Sequence, residues 1–128
     1  PHHPPIFIMA NKRQIKKQIT GACGALAAEC MLAIEYVDGL DTKAMEQIIL
    51  EIATLQDHAI SRCSIAFDKT PSDFENSHDY TTAREKYFAD AFRNLIKEFN
   101  EKVGAIVKEM NALLPQEQRE ANKAAAKA

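Results

Sequence analysis

Tryptophan is absent from this chain and turn formers are scarce. Four Gly and five Pro are spread over 128 residues, and four of the prolines fall near the ends. An all-β sandwich or barrel needs many Gly, Pro, Asn and Asp turns, so that class is nearly excluded. Cysteine is limited to three, and an odd number cannot complete a disulfide framework. Cys23 and Cys30, seven apart on a predicted helix, stand about 10 Å apart at 1.5 Å per residue. A disulfide needs Cα atoms within roughly 7 Å. All three thiols sit among apolar residues and read as small core hydrophobes in a reducing compartment, the cytoplasm by default.

Long uninterrupted apolar runs are missing too. The most apolar stretch, Gly21 to Val37, has 17 residues and holds Glu29 and Glu35. A span needs about 20 apolar residues and a carboxylate in the membrane interior is costly, so no transmembrane helix and no membrane partner are expected. Charge of one sign is not in excess: the net charge is −2, which argues against a constitutive nucleic-acid binder. Its distribution is uneven. Lys12, Arg13, Lys16 and Lys17 open the chain, whereas residues 18–114 carry nine Lys/Arg against sixteen Asp/Glu. The basic start could steer an anionic partner, though a solvated helix start is the plainer reading.

What is present is helical periodicity, with no strand-like alternation and no internal repeat. Residues 1–10 read as a tag-like or disordered extension, because PHHPPIFI lacks a charged n-region and Met9-Ala10-Asn11-Lys12 reads as a natural start. The first helix is predicted from about Asn11 to Val37. Ile19, Ala22, Cys23, Leu26, Cys30, Ala33 and Val37 share its apolar face, and Gly39 is the left-handed residue beyond it. Its opposite face is small: Gly21, Gly24, Ala25 and Ala28. Interior glycines weaken a helix, so Gly21, Gly24 and Gly104 are expected where a packing partner comes close, within the bundle or from a second copy.

The second helix opens with Asp41 as N-cap between Leu40 and Met45. Met45, Ile48, Ile52, Leu55, Ala59 and Ala66 form its a/d stripe. Ile49, Leu50, Ala53 and Ile60 widen that stripe to roughly 200°. In the linker of about 68–81, Thr70-Pro71-Ser72-Asp73 predicts a short helix from Pro71 to about Asn76. The third helix is predicted from the capping box Thr82…Glu85 to Leu114. Phe88, Phe92, Leu95, Phe99, Val103, Ile106, Met110 and Leu113 mark its core face, with a stutter near Phe99–Val103. The tail 115–128 has no large apolar residue and is expected to fray. Three helices of about 27, 28 and 33 residues, each roughly 40–50 Å long, predict an all-α, antiparallel up-down-up three-helix bundle. It occupies residues 11–114, with a short extra helix in the second connection.

Candidate sites are few. Glu75-Asn-Ser-His78 has the spacing of a di-iron Glu-x-x-His motif, but it occurs once and in a linker, where such sites need two copies and two further inward Glu. Glu29 takes a stripe position that expects a hydrophobe. It reads either as a perturbed buried carboxylate or as a seam residue paired with Lys or Arg. Asp57, His58, Ser61 and Arg62 form the densest polar cluster on a helix. Asp57 and His58 diverge by about 100° around it, which poses a His–Asp couple poorly. Arg62 stands at a core-like position, where it is expected to snorkel or pair with an acid. No nucleophile is set up, and no phosphate-cradling loop, zinc spacing or nucleotide fingerprint is present, so no catalytic, cofactor or metal residue is assigned.

The opening Met9-Ala-Asn-Lys-Arg-Gln-Ile-Lys-Lys17, with Gln56-Asp57 and Ser61-Arg62, resembles a group of short, uncharacterised all-helical bacterial proteins. The resemblance covers two short motifs. It implies a bacterial cytoplasmic origin and gives no residue a role.

The expectation is therefore a non-enzymatic protein–protein interaction or regulatory module that pairs with itself as a homodimer and with another protein. The alternatives are a ligand- or metal-binding bundle using Glu29, Glu35, His58 or Glu51, and a weak nucleic-acid accessory protein acting through the basic N-terminus.

Overall fold

The computed structural model describes residues 12–115. The extension before Lys12 and the tail after Pro115, both expected to be disordered, lie outside them. Among these residues there are three α-helices: α1 Lys12–Tyr36, α2 Thr42–Arg62 and α3 Ser77–Leu113. A 3-10 turn, Pro71–Asp73, interrupts the second connection. Among the described residues there is no strand, and the chain is all-α.

Local signals set most boundaries. Gly39 closes the α1–α2 turn with φ +75°, a conformation that a Cβ disfavours. The Asp41 carboxylate accepts the Ala44 N–H at 3.1 Å and caps α2. The Thr70 N–H donates to Asp73 Oδ2 at 2.8 Å, so the expected N-terminal signal forms. It opens only a 3-10 turn of three residues, because Phe74 is already extended. The short helix to Asn76 is therefore corrected.

Helix lengths depart further from expectation. α2 ends at Arg62, and Ala66 is exposed outside it, so Ala66 belongs to no stripe. α3 starts at Ser77, five residues before the box at Thr82. There the Asn76 side chain accepts the Asp79 N–H at 2.8 Å, while Asp79 supplies an acid in the first turn. Tyr80 fixes that earlier start by packing on Phe67 at 5.9 Å and on Phe74 at 5.7 Å. The helices are thus 25, 21 and 37 residues rather than nearly equal.

One core joins them. Ile15, Ile19, Cys23, Leu26 and Cys30 of α1 meet Met45, Ile48, Ile52, Leu55 and Ala59 of α2. Leu95, Ile96, Phe99, Ile106 and Met110 of α3 complete it. The eight-residue stripe expected on α3 is buried or half-buried throughout, with Ile96 added. On α2, Leu50 and Ala53 are exposed, so the expected wide apolar arc is narrower in fact. α2 packs against both neighbours. Along the α2–α3 seam, Glu51 faces Glu109 and Arg62 pairs with Glu98. At the other seam, Lys12 and Lys16 come near Cys63.

The overhang this leaves on α3 is wrapped by the linker. Phe67 lies 5.4 Å from Tyr87 and 6.3 Å from Phe74, and Tyr87 lies 5.3 Å from Phe88. Arg84 sits 4.9 Å over the Phe88 ring, adding a cation–π contact.

Gly21, Gly24 and Gly104 have open space around them: a Cβ built on any of the three meets nothing within 4 Å. The expectation that another helix of the bundle approaches them is corrected. The glycines therefore divide by sign. Gly24→Ala is expected to stabilise by about 1 kcal/mol through helix propensity, and Gly39→Ala to destabilise by about 1 kcal/mol through its left-handed φ. Thermal unfolding of the two variants checks this as midpoint shifts in opposite directions.

Candidate functional site

The densest polar cluster of the sequence is split by the fold. Arg62, half-buried at the end of α2, donates from Nη1 to Glu98 Oε2 of α3. The guanidinium thus ties the two helices together. Asp57 and Ser61 are exposed. His58 turns the other way and lines a groove between α2 and α3.

That groove encloses about 500 Å³. Its floor is apolar, formed by Leu55 and Ile106. Leu50 stands on its rim, 60% exposed. Gln47, Glu51, Thr54 and His58 of α2 and Lys102 of α3 supply polar edges, and the small Ala105 leaves the opening. On α3 the groove is lined by Ala105, where a longer side chain would narrow the seam. That small residue is the signal the sequence offers.

Glu51, exposed on α2, meets the Glu109 carboxyl of α3. Its hydrogen bond with the Glu109 carboxyl, with slight desolvation and repulsion by that neighbour, holds it above the usual carboxylate range. His58 and Glu51 of the proposed ligand or metal set therefore line one groove. Glu29 and Glu35 lie on α1 and do not reach it. Glu29 is half-buried beside Cys30, and Glu35 is exposed. His78 falls in the first turn of α3 and Glu75 lies in the connection before it. Among the described residues no three His, Cys, Asp or Glu side chains come together to hold a metal ion.

The thiols are packed as hydrophobes. Burial pushes Cys23 up to about 11. Burial, helped by the Glu29 charge, does the same for Cys30. Burial also raises Cys63, against the pull of Lys16, Lys12 and Arg62. A thiol held this far above neutral pH has little thiolate with which to attack.

A second surface has a different character. The outward side of α1 exposes Met31 at 60%, Leu32 at 55% and Tyr36 at 72%, beside Gly21, Gly24, Ala25 and Ala28. By length and composition α1 also meets the requirement for a membrane span, which corrects the expectation that no segment does. The helix is 25 residues long, about 38 Å at 1.5 Å per residue, and only Glu29 and Glu35 interrupt its apolar part. Its inward residues are nonetheless committed to the core, as in any core helix.

No known family model, curated protein or solved structure matches the chain.

In the native protein the three thiols should resist a thiol reagent at pH 8 and all react once urea unfolds the chain; fast native labelling would place a cysteine outside the core. Glu51 holds its proton more tightly when folded, so its contribution to stability is present below the unfolded carboxyl range and is lost as pH rises through the folded pKa. Glu51→Gln should therefore stabilise at pH 7 and have little effect near pH 4. The gain should be about 0.5 kcal/mol or less because the group is exposed, and it is readable as a pH-dependent difference in urea midpoint.

Proposed function

We propose that this protein is a non-enzymatic interaction module, an up-down-up antiparallel three-helix bundle that presents a helix face to a protein partner. The observation that carries this reading is the outward side of α1. Met31, Leu32 and Tyr36 stand exposed next to glycines and alanines that none of the described residues covers. Apolar side chains clustered on one helix face mark an interaction surface more often than scattered ones do. The reversed order of the α2–α3 pairs, Glu51 with Glu109 and Arg62 with Glu98, supports the antiparallel arrangement. Three buried free thiols support a reducing compartment such as the cytoplasm.

A second reading, a ligand-binding bundle, is favoured by one observation. The α2–α3 groove joins an apolar floor of Leu55 and Ile106 to Glu51, His58 and Lys102 at its edges, the make-up of a small amphiphile site. It accounts for His58 and Glu51 and leaves the α1 face unexplained, so it stands second.

Leu32→Glu tests the leading reading. Because Leu32 is 55% exposed, the variant should keep its helical circular dichroism. Immobilised wild type should retain polypeptides from a native cell extract that the Leu32→Glu protein does not. Identical sets on the two proteins would remove the α1 face as the binding surface.

A further inference from the structure

The exposed residues of α1 run in an order of charge and size. Arg13 and Lys17 stand at one end, and Glu35 with Asp38, just past the helix, at the other. From Thr20 to Leu32 the exposed positions carry no charge, and those from Gly21 to Ala28 are Gly or Ala. Large side chains come only after that, at Met31 and Leu32, both more than half exposed. Positions three and four apart share a face, so this order runs along one side of the helix.

We propose that a second copy of this chain covers that face, with the two α1 helices antiparallel about a two-fold axis level with Leu26. The proposal rests on the helix-face reading and names its partner. In such a pair, residue i of one copy lies level with residue 52 − i of the other, and the same patch serves both copies. Met31 then falls on Gly21 of the second copy, where a Cβ would meet nothing and space is open. Ala28 falls on Gly24 at the axis, so the helices can approach to about 8 Å, the close limit for packed helices. Lys17 comes level with Glu35, and Arg13 is within one residue of Asp38. A parallel pair would instead set Lys17 on Lys17 and Glu35 on Glu35. Size and charge both select the antiparallel register, and its two-fold symmetry closes the assembly at two copies.

A lipid surface fits the same face less well. An anionic membrane would attract the Lys17 end and repel the Glu35 end, and the deeper apolar side of α1 is already used in the core. The face is about 38 Å long and about 10 Å wide, roughly 400 Å² per copy. A standard interface buries about 800 Å² per partner, so the dimer is weak and concentration-dependent.

Sedimentation velocity of the full chain from about 10 to about 500 µM, a range suited to an interface this small, is expected to show monomer passing to dimer. Lys17→Glu alone and Glu35→Lys alone should each raise the dissociation constant about tenfold, because symmetry turns two charge pairs repulsive at once. The double exchange K17E/E35K should return it to near the wild-type value. Gly21→Leu should abolish the dimer while leaving the thermal midpoint of the monomer unchanged or higher. A monomer at every concentration, single charge variants that dimerise as wild type does, or a double exchange that fails to restore pairing would each overturn the proposal. So would a monomer that co-sediments with phosphatidylserine-containing vesicles through this face. If the chain stays monomeric while Leu32→Glu still loses its captured polypeptides, the second copy is refuted and the helix-face reading stands.

Discussion

The strip Met45, Ile48, Ile52, Leu55 and Ala59 on α2 is the surface on which the other two helices are seated. Ile15, Ile19, Cys23, Leu26 and Cys30 come to it from α1, and Leu95, Phe99 and Ile106 from α3, in one continuous core. Every other feature depends on this shared strip. Because α2 turns its buried side to both neighbours, its remaining side chains are left at the seams. Arg62 and Glu98 close one end of the α2–α3 seam by charge, and Leu50, Glu51 and His58 are left lining an open groove further along. With one face of α1 spent on the strip, its Gly/Ala face meets none of the described residues closely.

The short α2 shapes the rest. At 21 residues it supports only part of α3, which has 37. Arg62 is level with Glu98, so the turns of α3 before that point run past the end of α2. The linker fills the deficit with aromatic area: Phe67 and Phe74 lie along Tyr80 and Tyr87 with ring centres 5.4–6.3 Å apart. Ring pairs at such separations gain about 0.5–1.5 kcal/mol beyond the area they bury. The chain between Cys63 and Pro71 thus holds its course without regular structure.

The three helices, the Asp41 cap, the Gly39 turn and nearly every buried position are legible in the sequence, because 3.6-residue periodicity and capping chemistry are local. Where helices stop is harder to read. Ala66 has the spacing of another stripe residue, yet α2 ends at Arg62. Thr82…Glu85 has the form of a start, yet Asn76 with Asp79 caps α3 earlier, since Tyr80 finds Phe67 and Phe74 there. That choice is made by aromatic contacts between segments, which no window along the chain contains. The candidate site is obscured in the same way. In the sequence His58 stands out for its neighbours Asp57 and Arg62, whereas the fold gives it Lys102 and Glu51 and gives Arg62 to Glu98. Neighbours across a seam are set by helix register, and register is a product of packing.

The Gly/Ala face of α1 is where local chemistry and tertiary structure disagree most. Gly21 and Gly24 each weaken the helix by about 1 kcal/mol relative to Ala, and among the described residues no neighbour approaches closely enough to require a glycine. Met31 and Leu32 add exposed apolar area on the same side. For a lone chain both features are losses: one destabilises the helix and the other leaves hydrophobic surface in water. A surface that meets the face turns both into gains, because glycines admit a close backbone and the large side chains fill the space that the glycines leave. The charges at the two ends of α1 then decide which surface fits. They are opposite in sign, with Lys17 and Glu35 at equal distances from Leu26, and joined by a stretch of exposed positions with no charge. A partner with the same order, running the other way, answers size and sign together, and this chain has that order.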